Sequence, residues 1–170
     1  MKIEEKRLTE YNRFKHEDAV SRKRNIFDAA LNDINRLSKH DLKLVGIALY
    51  WAEGYKTDRA KDVEIVNSDP AMIRLMMKWF REVCNVPEHK FKVRIQIHDA
   101  LRTDEGIRFW SLNTGIPLAQ FTKPYIKTSP SSKGKAGNRH LHGVCHIRIA
   151  DTKLLAQIKG WIEGLSGAIV

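Results

Sequence analysis

A chain of 170 residues with 42% hydrophobic and 29% charged side chains is long enough to bury a core without disulfide or metal staples, and its composition excludes wholesale disorder. Thirty lysines and arginines against 20 acidic residues give a net charge of +10, which points to a polyanionic partner, nucleic acid ahead of an anionic membrane surface. Cys84 and Cys145 build no disulfide framework and predict a reducing, cytoplasmic setting; no secretory-type apolar stretch opens the chain, and the longest apolar run, Leu44 to Ala52, is about half a membrane span.

In chain order, residues 4–37 contain neither proline nor glycine and predict a charged helix, whose second half carries Ile26, Phe27, Ala30, Leu31, Ile34 and Leu37 at helical spacing. It reads as an N-terminal helical extension, residues 1–38, ahead of a main domain spanning residues 39–170. Ser38 and Asp41 mark the capped start of a second helix. That helix, LKLVGIALYWAEG, is apolar almost all round until Glu53 and closes at Gly54, so burial on several sides is expected, with Gly46, Ala48 and Ala52 admitting a neighbouring backbone.

The segment VEIVN, residues 63–67, predicts a strand, and NSDP then caps an amphipathic helix running to about Cys84. HKFKVRIQIH alternates cleanly: Phe91, Val93, Ile95 and Ile97 face one way, and Lys90, Lys92, Arg94, Gln96 and His98 the other. A helix closing at Gly115 follows, then an extended stretch over 116–127, a flexible basic loop TSPSSKGKAGNR, and a strand GVCHIRIA. Asp151 opens a last helix whose final turn is expected at Gly164. This order, helices with mostly antiparallel strands, is α+β and not a regular βαβ series.

The positive charge is local. Residues 1–40 are nearly balanced, whereas Lys123, Lys127, Lys133, Lys135, Arg139, Arg148 and Lys153 crowd residues 120–153 against Asp151 alone. Together with the polar face of the strand at His89–His98, and with Arg59 and Lys61, these cations outline a basic sheet surface. A two-stranded ribbon of that kind fits the major groove of B-DNA, where Arg and Lys meet guanine edges and phosphates. The same pattern also arises where lysines keep an edge strand from aggregating.

Residues 44–56, LVGIALYWAEGYK, resemble the LAGLIDADG motif of homing-endonuclease-like proteins. Aligned on the closing glycine, Glu53-Gly54 takes the place of the motif's final Asp-Gly, Ala52 matches its alanine, and Leu49 its second leucine. Trp51 replaces the first aspartate, and the motif's small-residue pattern is preserved only in part, with Tyr50 large. The elements that follow, over roughly residues 40–165, are similar to those of a compact single-motif branch. The resemblance implies helices packed on a mostly antiparallel saddle-shaped sheet and a homodimer joined through the helix at 42–54. It further implies duplex DNA as partner and cleavage of phosphodiester bonds with Mg2+ or Mn2+, the metal being held by Glu53. A non-catalytic DNA-binding or regulatory protein on the same fold is the alternative; RNA binding is a lesser one, since no aromatic platform is evident.

The residues offer a physical argument for the same site. A carboxylate in the last turn of a helix opposes the macrodipole by about 0.3–1 kcal/mol, so Glu53 calls for a cation or donors, and twofold symmetry would bring two such carboxylates together. Lys56 is positioned to stabilise phosphate charge. In the simpler alternative Glu53 pairs with Lys56 or Arg59. Two weaker signals remain. Trp161-Ile162-Glu163-Gly164 echoes the motif's end, although a plain helix cap explains it. His140, His142, Cys145 and His146 cluster without the paired spacing of a zinc site.

Overall fold

The computed structural model describes residues 2–34, 36–57, 59–97, 102–126 and 141–168. Its internal contacts divide the chain into two units, Met1–Leu37 and Ser38–Val170. The first is a single helix, α1 (Lys2–Asp33). Ion pairs one turn apart, Arg22–Asp18 at 2.8 Å and Arg24–Asp28 at 2.9 Å, lie along it, each worth a few tenths of a kcal/mol (~0.3). Leu8, Phe14, Ile26, Phe27 and Leu31 along it are exposed.

The second unit is α+β. It contains α2 (Lys39–Glu53), β1 (Val63–Asn67), α3 (Pro70–Glu82), β2 (Phe91–Ile97), α4 (Thr103–Thr114), β3 (Tyr125–Ile126), β4 (Val144–Ile149) and α5 (Thr152–Gly167). The strands form one open sheet in the order β1-β4-β2-β3. β4 runs antiparallel to both β1 and β2, while β3 lies parallel to β2, so the sheet is mixed. The expected extended stretch over 116–127 is instead a 3-10 turn at Leu118–Gln120, an isolated bridge from Phe121 to Val93, and then the short β3. Among the described residues no helix is long and apolar enough to cross a membrane.

Period-two alternation decides which sheet face is covered. Val63, Ile65, Phe91, Val93, Ile95, Ile97, Cys145, Ile147 and Ile149 are all buried, beneath α2, α3 and α5 on the β1 side and α4 over β2. The helix starts follow the sequence closely. Ser38 and Asp41 form a reciprocal capping box, and Asp69 caps α3 with Pro70 in its first turn. Trp79 on α3 is wholly buried, with ring centroids of Tyr50, Phe80 and Trp161 at 6.2, 5.1 and 6.2 Å. Its indole lies flat against Gly46 of α2, where a Cβ would fall 2.1 Å from Trp79 Cδ1. The close approach that Gly46 permits is therefore to a side chain, not to a second backbone.

Two expectations about the helices are corrected. α2 is buried on one face and not on several sides: Leu42, Gly46, Ile47 and Tyr50 face the core, whereas Leu44, Ala48, Trp51 and Ala52 form an exposed apolar stripe, with Trp51 41% and Leu44 38% exposed. α5 does not stop at Gly164 but continues to Gly167 and is capped at Ala168. Gly160 and Gly164 face open space, so each weakens the helix without ending it.

α5 begins at Asp151, whose carboxylate accepts from the Leu154 amide at 2.9 Å and from Lys90 Nζ at 2.7 Å. The Lys90 ammonium, then the amide, hold this carboxyl below its ordinary value of 3.8. A depressed carboxyl stabilises the fold above its unfolded pKa, and that share is lost as pH falls through the folded value. Asp151→Asn keeps the cap and loses the charge, so urea titrations are expected to find it less stable than the wild type at pH 7 and to find the gap closing as the pH is taken well below 3.8. Asp151→Ala loses the cap as well, at a further cost of about 1 kcal/mol. A gap of equal size at both ends of that range would show that the ion pair contributes nothing.

Candidate nucleic-acid interface

The face of the sheet that carries no helix is polar, and strand register sets its side chains in rows. Glu64, Arg148 and Lys92 form one row across β1, β4 and β2; Val66, His146 and Arg94 form the next; Val144, Gln96 and Tyr125 form a third across β4, β2 and β3. Glu64, Lys92, Arg94, Tyr125, His146 and Arg148 from these rows line a groove of about 830 Å³. Lys92 and Arg94 are exposed, and among the described residues no acidic side chain lies within ion-pair distance of either. The Arg94 guanidinium sits 5.5 Å from the centre of the Tyr125 ring, a cation–π contact that leaves its N–H edges available.

Several expected DNA contacts are gathered here and others are not. Lys92, Arg94, Gln96 and Arg148 share the groove face, and Lys123 is exposed just before β3. Arg148 does not stand alone: its Nε donates to Asp62 Oδ2 at 2.8 Å and a second guanidinium nitrogen reaches the same oxygen. Lys90 is a correction. It lies in the turn before β2, half-buried, and is engaged by Asp151 across 61 residues of sequence, so it is no member of the open face. Arg59 and Lys61 are exposed on the connection between α2 and β1. His98, Lys127, Lys133, Lys135 and Arg139 lie outside the described residues, as does His140.

The sequence reading missed the acidic side of this surface. Asp62 and Glu64 enter from β1 and its lead-in, and Glu64 Oε1 is 3.3 Å from His146 Nδ1. The His146 hydrogen bond outweighs the burial of Glu64 and lowers its carboxyl below the ordinary range, helped by the charges of Arg148 and Arg94. Alternation in VEIVN placed Glu64 and Val66 on one face, but only the pairing of β1 with β4 puts that face beside the cations. The groove is thus graded, with acids at the β1 side and, on β2, cations that form no ion pair among the described residues.

The end of α2 is tied to this sheet. The Tyr55 amide donates to Glu64 O at 2.9 Å and Gly54 bridges to Ile65, so Glu53, Gly54 and Lys56 stand at the β1 edge. Tyr50 is fully buried; its hydroxyl donates to Tyr55 O at 3.2 Å and receives the Glu64 amide at 3.4 Å. Burial pushes this phenol to about 12, keeping it neutral. Gly54 has an extended backbone, φ −76° and ψ 151°, so its requirement is spatial: a Cβ would fall 2.5 Å from Tyr50 O. Lys56 Nζ donates to Gly54 O at 3.1 Å. Glu53 is exposed and, among the described residues, makes no ion pair with Lys56 or Arg59.

Comparison with protein-family models, with curated proteins and with solved structures found no match. Among the described residues no group of three or more His, Cys, Asp or Glu is arranged to hold a metal ion. Cys145 is buried on the core face while His146 lies on the groove face. His142 stacks on Phe109 at 3.8 Å, so these three residues do not converge. Glu163 is exposed within α5, two residues beyond Trp161, whose ring packs on Trp79.

Proposed function

We propose that the chain binds duplex DNA through the helix-free face of its sheet, as a homodimer of the LAGLIDADG homing-endonuclease-like type, and cleaves phosphodiester bonds with a divalent cation. The observation that carries this reading is that Lys92 and Arg94, exposed and without an ion-pair partner among the described residues, stand beside Arg148 on adjacent strands in the wall of an open groove, with Gln96 next along the same face of β2. Strands of that width enter a major groove, and cations on them neutralise phosphates. The apolar stripe Leu44, Ala48, Trp51 and Ala52 on α2, exposed beside Glu53, supports self-association through that helix. It is also the helix that carries the motif-like residues.

Glu53 fits a metal site of the open kind. It is a solvent-facing carboxylate with no partner among the described residues to satisfy it, and Mg2+ favours one or two carboxylates with phosphate oxygens and water. A cation held there supplies Lewis-acid polarisation of the phosphate and activates water. Lys56, anchored on Gly54 O, places positive charge at the same edge. The non-catalytic alternative keeps every binding contact and dispenses with the metal.

Binding is tested by salt dependence. If Lys92 and Arg94 meet phosphates, Lys92→Ala and Arg94→Ala each flatten the slope of log affinity against log salt by about 0.9 for duplex DNA, measured by fluorescence anisotropy. An unchanged slope in both variants would mean that the groove does not hold the backbone. Structured RNA measured at the same salt concentration separates the lesser reading, because tighter RNA binding would overturn the preference for duplex DNA.

A further inference from the structure

A carboxylate in a surface meant for a polyanion needs a reason. Arg148 already has Asp62 as its counter-charge, so Glu64 is not required to balance it. Glu64 nonetheless sits in the row with Arg148 and Lys92, in the wall of the groove. One of its oxygens is held by His146 at 3.3 Å, and among the described residues the other makes no hydrogen bond. His146 is itself flanked by Arg94 in the next row. The result is an oriented acceptor, ionised at neutral pH and set beside the cations that would grip phosphate.

We infer that Glu64 is a specificity-determining residue, whose carboxylate accepts a hydrogen bond from the N4 amino group of a cytosine in the major groove while His146 holds it in position. The inference rests on the duplex-binding reading above. The choice of base follows from the groove code. Guanine presents two acceptors and thymine an acceptor and a methyl group, so both repel a carboxylate. Adenine offers a donor, but its N7 acceptor stands beside it, whereas cytosine offers its amino donor without an adjoining acceptor. Glu64→Gln converts one acceptor oxygen to a donor and suits the N6–N7 pair of adenine instead.

The test is selection of bound sequences from random duplexes with the full-length wild type and with Glu64→Gln, followed by affinity measurements on the winners at two salt concentrations. The wild type is expected to require cytosine at one position of its site, by on the order of 5- to 150-fold over other bases. Glu64→Gln is expected to move that preference to adenine with no change in salt slope. A readout on the unaltered protein guards against a variant that fails to fold: placing N4-methylcytosine at the selected position blocks the donor and should weaken wild-type binding by a similar factor. Either no cytosine preference in the wild type, or an N4-methyl group without effect, overturns the assignment while leaving duplex binding intact. So does uniform tightening of Glu64→Gln on every duplex, which would make Glu64 a mere counter-charge. A wild type that binds no duplex at all overturns the parent reading, and is seen before any variant is made.

Discussion

Gly46→Ala is expected to destabilise the protein by about 3 kcal/mol, at the upper end of the usual cost of overpacking a core. Helix propensity alone predicts the opposite, since alanine in mid-helix is favoured over glycine by about 1 kcal/mol. The two effects are decided by geometry. The added Cβ would stand 2.1, 2.2 and 2.3 Å from Trp79 Cδ1, Cγ and Nε1, where carbon atoms normally rest about 3.5–4.0 Å apart. The indole cannot swing away, because Trp79 is 0% exposed and boxed by Tyr50, Phe80 and Trp161. Urea unfolding should show a lower midpoint with an unchanged slope. Combining Gly46→Ala with Trp79→Leu should cost less than the sum of the two changes, the coupling expected of groups in contact. A stabilised Gly46→Ala would mean that α2 and α3 do not meet in this way.

The second large effect falls on chemistry. On a duplex that the protein binds, Glu53→Gln is expected to lower Mg2+- or Mn2+-dependent cleavage by at least about 100-fold, the scale of losing one preorganised electrostatic stabiliser. Binding should stay equal or tighten, because an anion near the phosphates has been neutralised. The exposed position of Glu53 makes a folding defect an unsuitable explanation for any loss. In a twofold assembly each chain supplies one Glu53, so a mixture of wild-type and Glu53→Gln chains should accumulate singly nicked duplex. Undiminished cleavage by Glu53→Gln removes it from the reaction. A wild type that nicks no bound duplex with either metal leaves the non-catalytic reading standing.

Local chemistry was legible in the sequence where a signal is short-range. Ser38 with Asp41, Pro70 in the first turn of α3, and the alternation from Phe91 to Ile97 each act within a few residues and appear as read, and of the two cap candidates Ser68 and Asp69 the structure uses Asp69. The errors arise where distant partners decide. Lys90 looked like a groove residue until Asp151, 61 positions away, claimed it. Arg148 looked unopposed until β1 brought Asp62 beside it across 86 positions. The exposed stripe of α2 was hidden because an apolar helix gives no hint of which side its neighbours leave uncovered. Gly164 was mistaken for a stop because glycine ends helices through its backbone freedom, and nothing at this position uses that freedom. Within the candidate site the cations of β2 were legible, whereas the Glu64–His146 pair depended on strand register.

The sheet has consequences for how chains join. At one edge β1 is already hydrogen-bonded by the residues that follow α2, through the Tyr55 amide and the Gly54 bridge. At the other, β3 is two residues long and is entered through Pro124, which has no amide hydrogen to offer. Among the described residues neither margin presents the long row of free donors and acceptors that lets strands of separate molecules zip into a continuous ribbon. The molecule is thereby guarded against runaway strand-to-strand polymerisation, and its groove stays a bounded surface.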